Sequence, residues 1–296
     1  MAKKYLGIDM GGTRTRLGII DEDLRIVDSE IVLTASYGKP SLEEGFASLA
    51  ARFVQERGHV VDGAVVGVPA TVDAGRRRVV QAPNVPGLSG LELASALERS
   101  LDVPAIVEKD VNLLLLSDML DLGIDGAHSV VGIYFGTGIG NALYLNGDVW
   151  RGRHGVAGEL GHVPQFRYEQ MCGCGNKGCL ECAGGGHRLA AIRNERFAGT
   201  DMDDLFVAHG DDPEIQEVLD AMAIAVAGEV TLIDPDEVVI GGGIPAMAGF
   251  DREDFERRVI ERARSPYPAN DLRLHYARQG QLSGIIGAGI VAKGSF

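Results

Sequence analysis

Twice in this chain a short apolar run breaks at a turn of glycine and threonine and resumes as a second strand-like run. In the first copy Tyr5–Asp9 leads into Gly11-Gly12-Thr13, followed by Leu17–Ile20 and a polar turn at Asp21–Asp23. In the second, about 125 residues later, Val130–Phe135 leads into Gly136-Thr137-Gly138, followed by Ala142–Leu145 and a turn at Asn146-Gly147. Strand, tight turn and strand make a hairpin. Two copies of one supersecondary unit predict two similar lobes with a cleft between them. The 296 residues allow roughly two domains of ~150 each, long enough for each to bury a core.

Between and after the hairpins, helices alternate with strands. Ile26–Leu33 reads as a third strand, and Ser41-Leu42-Glu43-Glu44 is a capping box opening a helix that ends at Gly58. Ala64–Val68 is a buried strand stopped by Pro69. A second capping box, Ser89-Gly90-Leu91-Glu92, predicts another helix, and Pro104–Val107 another strand. Further on come a long helix over Glu214–Ile233, a strand over Glu237–Ile240 running into Gly241-Gly242-Gly243, and a small-residue helix over Gly284–Lys293. The alternation is that of an α/β fold. The expected division is a small α/β lobe over residues 1–120, joined by the helix at 281–296, and a large one over 121–280, with a hinge near Asp118–Asp125.

Composition narrows the partners. Lys and Arg number 28 against 42 Asp and Glu, a formal charge of −14, which repels nucleic-acid backbones and anionic lipid surfaces. Met1–Met10 holds no signal-type apolar stretch, and the oily run Val111–Leu116 is interrupted by Asn112, so no membrane anchor is expected. All four cysteines fall within eleven residues, unlike a disulfide framework, and the expected setting is cytoplasmic. Glycine, at 41 residues, is about twice its usual ~7%, which suggests loops that bring backbone close to a ligand.

The glycine turns offer backbone N–H groups and a hydroxyl to phosphate oxygens, and Asp9 beside the first could position Mg²⁺. Taken singly, each is also an ordinary hairpin turn. Gly136-Thr137-Gly138-Ile139-Gly140 precedes a strand pattern, whereas a dinucleotide fingerprint needs a helix there; no Walker motif and no protein-kinase signature occurs. His162, Cys172, Cys174 and Cys179 make a closed His/Cys₃ set, the ligand pattern of structural zinc. Cys182 reads as a packing residue, with substitution for another ligand as the alternative. Glu159 and Glu181 flank that loop and could grip sugar hydroxyls. In Glu108-Lys109-Asp110-Val111-Asn112, Asp110 follows a strand at the usual ligand-binding edge of a sheet, where it could serve as a general base or simply as a helix N-cap.

In this order along the chain, these segments resemble the ROK family of sugar kinases (repressors, open reading frames, kinases), within the actin-like ATPase (ribonuclease H-like) fold. The resemblance implies that Asp9, Gly11, Gly12, Thr13 and Arg14 hold phosphates and, indirectly, Mg²⁺. It implies that Gly136, Thr137 and Gly138 form a second phosphate loop and that Gly241 and Gly242 border the adenosine of ATP. Asp110 matches the base for the sugar hydroxyl; Asn84, Glu159, His162 and Glu181 match hydroxyl-binding positions, with His162 shared with a structural Zn²⁺. A small-molecule sugar and a second copy of the chain are the implied partners. One position departs: glucokinase-like members commonly carry Asn before the catalytic Asp, and this chain has Lys109, taken as a substrate-binding residue. Lys109-Asp110-Val111-Asn112, with Gly152–Glu159 and Asp204–Val207, looks like the D-allose kinase branch. The expected activity is therefore ATP-dependent phosphorylation of a hexose 6-hydroxyl, D-allose first. A kinase for glucose, fructose or an N-acyl hexosamine is the alternative, and a sugar-responsive regulator is the reading outside enzymes.

Overall fold

A computed structural model describes residues 2–38, 41–83, 85–166, 168–278 and 280–296. In chain order the strands and helices begin β1 (Lys4–Met10), β2 (Arg14–Asp21), β3 (Ile26–Leu33), α1 (Leu42–Glu56) and β4 (Gly63–Val68). Then come β5 (Thr71–Val72), β6 (Val79–Gln81), α2 (Leu93–Leu101), β7 (Ala105–Lys109) and α3 (Asp110–Leu122). The middle holds β8 (Val130–Phe135), β9 (Ile139–Leu145), β10 (Asp148–Val149), α4 (Leu180–Gly184), α5 (Gly186–Arg196) and α6 (Leu205–His209). Last are α7 (Pro213–Ile233), β11 (Glu237–Gly241), α8 (Arg252–Arg262), β12 (Leu274–Tyr276) and α9 (Ser283–Ser295).

The chain divides into two compact units. One is Met1–Leu120 with Arg151–Ala157 and Gly280–Phe296; the other is Asp121–Trp150 with Gly158–Gln279. Arg151–Ala157, which the sequence reading put with 121–280, thus groups with the first unit. In that unit the sheet order is β3-β2-β1-β4-β7, antiparallel through β3, β2 and β1 and parallel through β1, β4 and β7. Alternation along β1 sends Leu6, Ile8 and Met10 into a core with Phe46 and Phe53 of α1 and Leu93 and Leu97 of α2. Tyr5 faces the opposite way, with Val65, Leu113, Ala288 and Val291. On that face α9 lies so close to the sheet that a Cβ on Gly18 would stand 2.6 Å from Ile285 Cγ2. Part of the glycine excess therefore serves helix–sheet packing rather than loops.

The second unit repeats the plan. Its sheet order is β10-β9-β8-β11-β12, an antiparallel meander extended by two parallel strands. Phe135, Leu143, Met222, Val226, Val238 and Phe255 lie in its core. Asn146 and Gly147 both take positive φ (57° and 84°), as the two-residue hairpin between β9 and β10 demands.

Of the first capping box the Ser41 half forms: Ser41 Oγ accepts the Glu44 N–H at 3.2 Å at the start of α1. The second does not. Gly90 turns with φ of +82°, Ser89 Oγ is taken by the Ala82 N–H at 2.9 Å, and α2 starts only at Leu93 with no side-chain cap. The strands β5 and β6, of two and three residues, gave no sequence signal, being too short for a period of two to show.

Candidate active site

Asp9 stands at the next-to-last position of β1, paired across the hairpin with Arg16. Gly11 N–H closes the turn on Arg14 O at 2.9 Å, leaving Gly12, Thr13 and Arg14 exposed. The turn is held from beneath by hydroxyls. Thr34 Oγ1 donates to Gly11 O at 2.7 Å, and its N–H donates to Thr13 O at 2.9 Å. Thr34 also meets Thr15 Oγ1 at 3.0 Å, and Thr15 meets the Tyr37 hydroxyl at 2.5 Å. Burial pushes the carboxyl of Asp9 above the usual range, against the pull of the Arg16 guanidinium 3.1 Å away. Gly284 leaves room for it at the start of α9, where a Cβ would stand 2.8 Å from Asp9 Cγ.

In the same unit β7 runs directly into α3, so Asp110 opens the helix without a separate cap residue, and its Oδ1 accepts the Val111 N–H at 2.8 Å. Lys109, 6% exposed, donates from Nζ to Ala157 O at 3.1 Å. Glu108, 2% exposed, drew no attention as a sequence feature, yet it is the most heavily bonded carboxylate at this edge. Its Oε1 accepts the Lys109 N–H at 3.0 Å and Asn112 Nδ2 at 2.7 Å. Its Oε2 lies 2.8 Å from Arg151 Nε and 3.1 Å from Arg76 Nη2. No pattern would have found it, since its partners Arg76 and Arg151 are remote in sequence. Asn84 falls outside the described residues.

The second unit carries the rest. Gly136 N–H bonds Gly138 O at 3.1 Å, and the turn receives two N–H groups from the start of α5: Gly186 to Gly136 O at 2.8 Å and His187 to Thr137 O at 3.0 Å. Those N–H groups have no partner within their own helix. Gly242, with φ of +93°, packs so tightly on Phe135 that no side chain fits there, and a Cβ on Gly241 would meet the Tyr134 ring at 2.6 Å. Next to Gly138, at the start of α4, the Glu181 carboxylate fills the space a Cβ would need.

His162, Cys172, Cys174 and Cys179 come together with one ligand atom from each within 4.8 Å of the others. Cys172 Sγ is 3.6 Å from His162 Nδ1, and the Cys174 and Cys179 sulfurs are 3.6 Å apart. Zn–S bonds of ~2.3 Å in a tetrahedron put sulfurs about 3.8 Å apart, so the donor set fits such an ion. Burial pushes the Cys172 thiol up and that of Cys179 to about 11. The Cys174 thiol, though burial raises it, is drawn down on balance by hydrogen bonds from the Asn176 N–H and the neighbouring thiols. Glu181 joins the cluster: Cys172 Sγ donates to its Oε1 at 2.9 Å, and His162 Nδ1 is 3.6 Å from the same oxygen. Glu159 Oε2 lies 3.7 Å from His162 Nε2. Cys182 is buried against the other cysteines of the cluster.

The ROK family model matches residues 5–295. An N-acetyl-D-glucosamine kinase of Vibrio cholerae is 33% identical, covering 96% of this chain and 98% of that one. A ROK family glucokinase of Streptomyces griseus, solved in complex with glucose and AMPPNP, superposes with a TM-score of 0.78 at 26% identity, over 97% and 98% of the two chains. The ROK hexokinase of Thermus thermophilus gives 0.77 at 29% identity over 97% of each. The resemblance to the D-allose branch finds no counterpart among these relatives. With almost its full length matched by the family model, the chain belongs to the ROK family.

Proposed function

We propose that this chain is an ATP-dependent sugar kinase that phosphorylates the 6-hydroxyl of a hexose, and that N-acetyl-D-glucosamine is the first substrate to test. The observation that carries the reaction class is end-to-end similarity to named sugar kinases, together with two glycine turns braced at the ends of equivalent strands. The substrate rests on the 33% identity to an N-acetyl-D-glucosamine kinase, which favours the N-acyl hexosamine alternative over D-allose.

In this reading Asp110 takes the proton from the 6-hydroxyl as that oxygen bonds to the γ-phosphorus, the bond to the β-phosphate oxygen breaks, and ADP leaves. Gly11, Gly12, Thr13 and Arg14, and likewise Gly136, Thr137 and Gly138, are the proposed phosphate-binding groups, and Gly241 and Gly242 the proposed neighbours of adenosine. Asp9, whose one guanidinium contact leaves lone pairs free, would hold Mg²⁺ through water. Bound there, the ion would neutralise phosphate charge. Asn84, Lys109, Glu159, His162 and Glu181 are the proposed sugar ligands. His162, Cys172, Cys174 and Cys179 would hold a structural Zn²⁺ that fixes Glu181. The four free cysteines suit a reducing cytoplasm. Among the described residues no helix is long and apolar enough to cross a membrane. A homodimer completes the reading and is measured by sedimentation.

The test is a coupled ADP-release assay over a panel of N-acetyl-D-glucosamine, N-acetyl-D-mannosamine, glucose, fructose and allose, ranked by kcat/KM, on parent and Asp110→Asn. Sugar-stimulated ADP release that D110N lowers at least about 10³-fold, with the fold and metal content retained, is the expected result. Near-normal turnover by D110N removes Asp110 as the base. No sugar-stimulated release across the panel would leave a sugar-responsive regulator in place of an enzyme.

A further inference from the structure

Apart from the residues given roles above, the first unit buries a carboxylate that none of them explains. Glu108 sits two residues before Asp110, and its two oxygens are used differently. Oε1 takes the Lys109 N–H at 3.0 Å and the Asn112 side-chain amide at 2.7 Å, so residues on both sides of Asp110 hang on one oxygen. Oε2 accepts from Arg151 Nε at 2.8 Å and is ion-paired with the Arg76 guanidinium, whose Nη2 lies 3.1 Å away outside hydrogen-bond geometry. A buried carboxylate so placed costs stability unless its partners are well aligned.

The second guanidinium is held at a further cost. Arg76 has φ of +57°, a left-handed conformation that non-glycine residues rarely adopt and that persists only where the surroundings impose it. Here the imposing group is Asp73, whose carboxylate accepts N–H groups from Gly75 at 3.1 Å, Arg77 at 2.8 Å and Arg78 at 2.6 Å. The Arg76 carbonyl meanwhile accepts the Val107 N–H at 2.9 Å, which ties the turn to β7 itself. From another direction, Arg151 begins the Arg151–Ala157 segment, whose far end is tied down by Lys109 Nζ on Ala157 O. Two separate pieces of chain, the turn at Asp73–Arg78 and the segment Arg151–Ala157, thus converge on the junction of β7 and α3.

We propose that Glu108 is a positioning residue for Asp110: with Arg76 and Arg151 it fixes the backbone on either side of the base and so sets the direction of its carboxylate. The proposal rests on the reading of Asp110 as base. A displacement of about 1 Å at such a group can cost on the order of 10²-fold in rate.

The test is a double-mutant cycle of E108Q with D110N, using radiolabelled ATP and long incubations so that residual turnover is measured. E108Q is expected to lower kcat about 30-fold while the sugar KM stays within about threefold. In the D110N background the same change should alter the residual rate less than about twofold, because a group that acts through Asp110 has nothing left to act on. An equal factor in both backgrounds, or a KM rise that accounts for the loss, overturns the proposal in favour of a role in folding alone. Where E108Q fails to fold, N112A decides. It removes one donor from Oε1 without stranding a charge, and should cost kcat about fivefold in the parent and nothing in D110N. An unchanged kcat in N112A also overturns the proposal. Near-normal turnover of D110N alone instead defeats the reading of Asp110, a separate result.

Discussion

The two glycine turns terminate equivalent hairpins in sheets of the same strand order, yet they are braced by different chemistry. Thr34 holds the first, its hydroxyl on the carbonyl of Gly11, backed by Thr15 and Tyr37, and its N–H on Thr13 O. The start of α5 holds the second, through the Gly186 and His187 N–H groups and through His187 Nδ1, 2.8 Å from Thr137 O; α5 follows α4, which begins just after the last cysteine of the His/Cys₃ cluster. The position at the end of the first strand differs too. Asp9 faces Arg16 across the first hairpin, whereas Tyr134 faces Gly140 across the second. Repetition of a topology thus conserves where a turn is presented, and leaves open what fixes it and what charge it carries.

That asymmetry is broken most strongly at the cluster. Cys174→Ser removes a ligand from the His/Cys₃ set, and with it the brace on Glu181 and the start of α5. Turnover should fall about 100-fold, with loss of stoichiometric zinc measured by a metal-binding dye. Hydrogen exchange should quicken at the Gly186 and His187 N–H groups and stay slow at the Thr34 N–H, which belongs to the first unit. Equal quickening at both turns would show that the two are not independently braced.

Single substitutions at the two braces sharpen the same contrast. A Cβ on Gly186 would lie 2.5 Å from Gly136 O, so Gly186→Ala must push α5 off the turn. Overpacking of this kind costs about 2–3 kcal/mol, read as a lower urea midpoint together with a higher KM for ATP. Thr34→Val keeps the volume but strips Gly11 O and Thr15 of their hydroxyl partner, at about 1–2 kcal/mol. A T34V effect as large as that of G186A would mean that the hydroxyl network carries more than the first turn.

How far the sequence announced this arrangement depends on the range of each signal. The hairpins, the Ser41 cap and the approach of His162 to three cysteines are local patterns, and the structure brings each of them together. Family likeness, rather than any period, marked Asp110 as a base. Local reading failed at Ser89, because a capping box cannot be told from a turn when Gly90 is free to take positive φ. It was silent on Glu108, whose partners Arg76 and Arg151 are brought in by the turn at Asp73 and by a segment that returns from after β10. It was equally silent on why Gly284 and Gly287 are glycines, since each answers to a residue far along the chain, Asp9 and Leu113. Chemistry held by neighbours in sequence is legible; chemistry held by neighbours only in space needs the fold.

The smallest expected effect is a pH dependence confined to the first turn. Burial holds the Asp9 carboxyl above its usual range, with Arg16 pulling the other way. An acid with a higher pKa in the folded than in the unfolded chain binds protons more readily when folded. Its contribution to stability is therefore present in full below the unfolded value and is lost as pH rises through the folded one. Asp9→Asn has no proton to lose, so the stability of D9N relative to the parent should grow between pH 4 and pH 7, as read from urea midpoints of the ligand-free protein. The same variant should lose activity with Mg·ATP, because the carboxylate that is costly to bury is the one proposed to hold the ion's water. A D9N advantage that stays constant across this pH range would mean that Asp9 titrates alike folded and unfolded, and that the two turns differ in bracing but not in the cost of their charge.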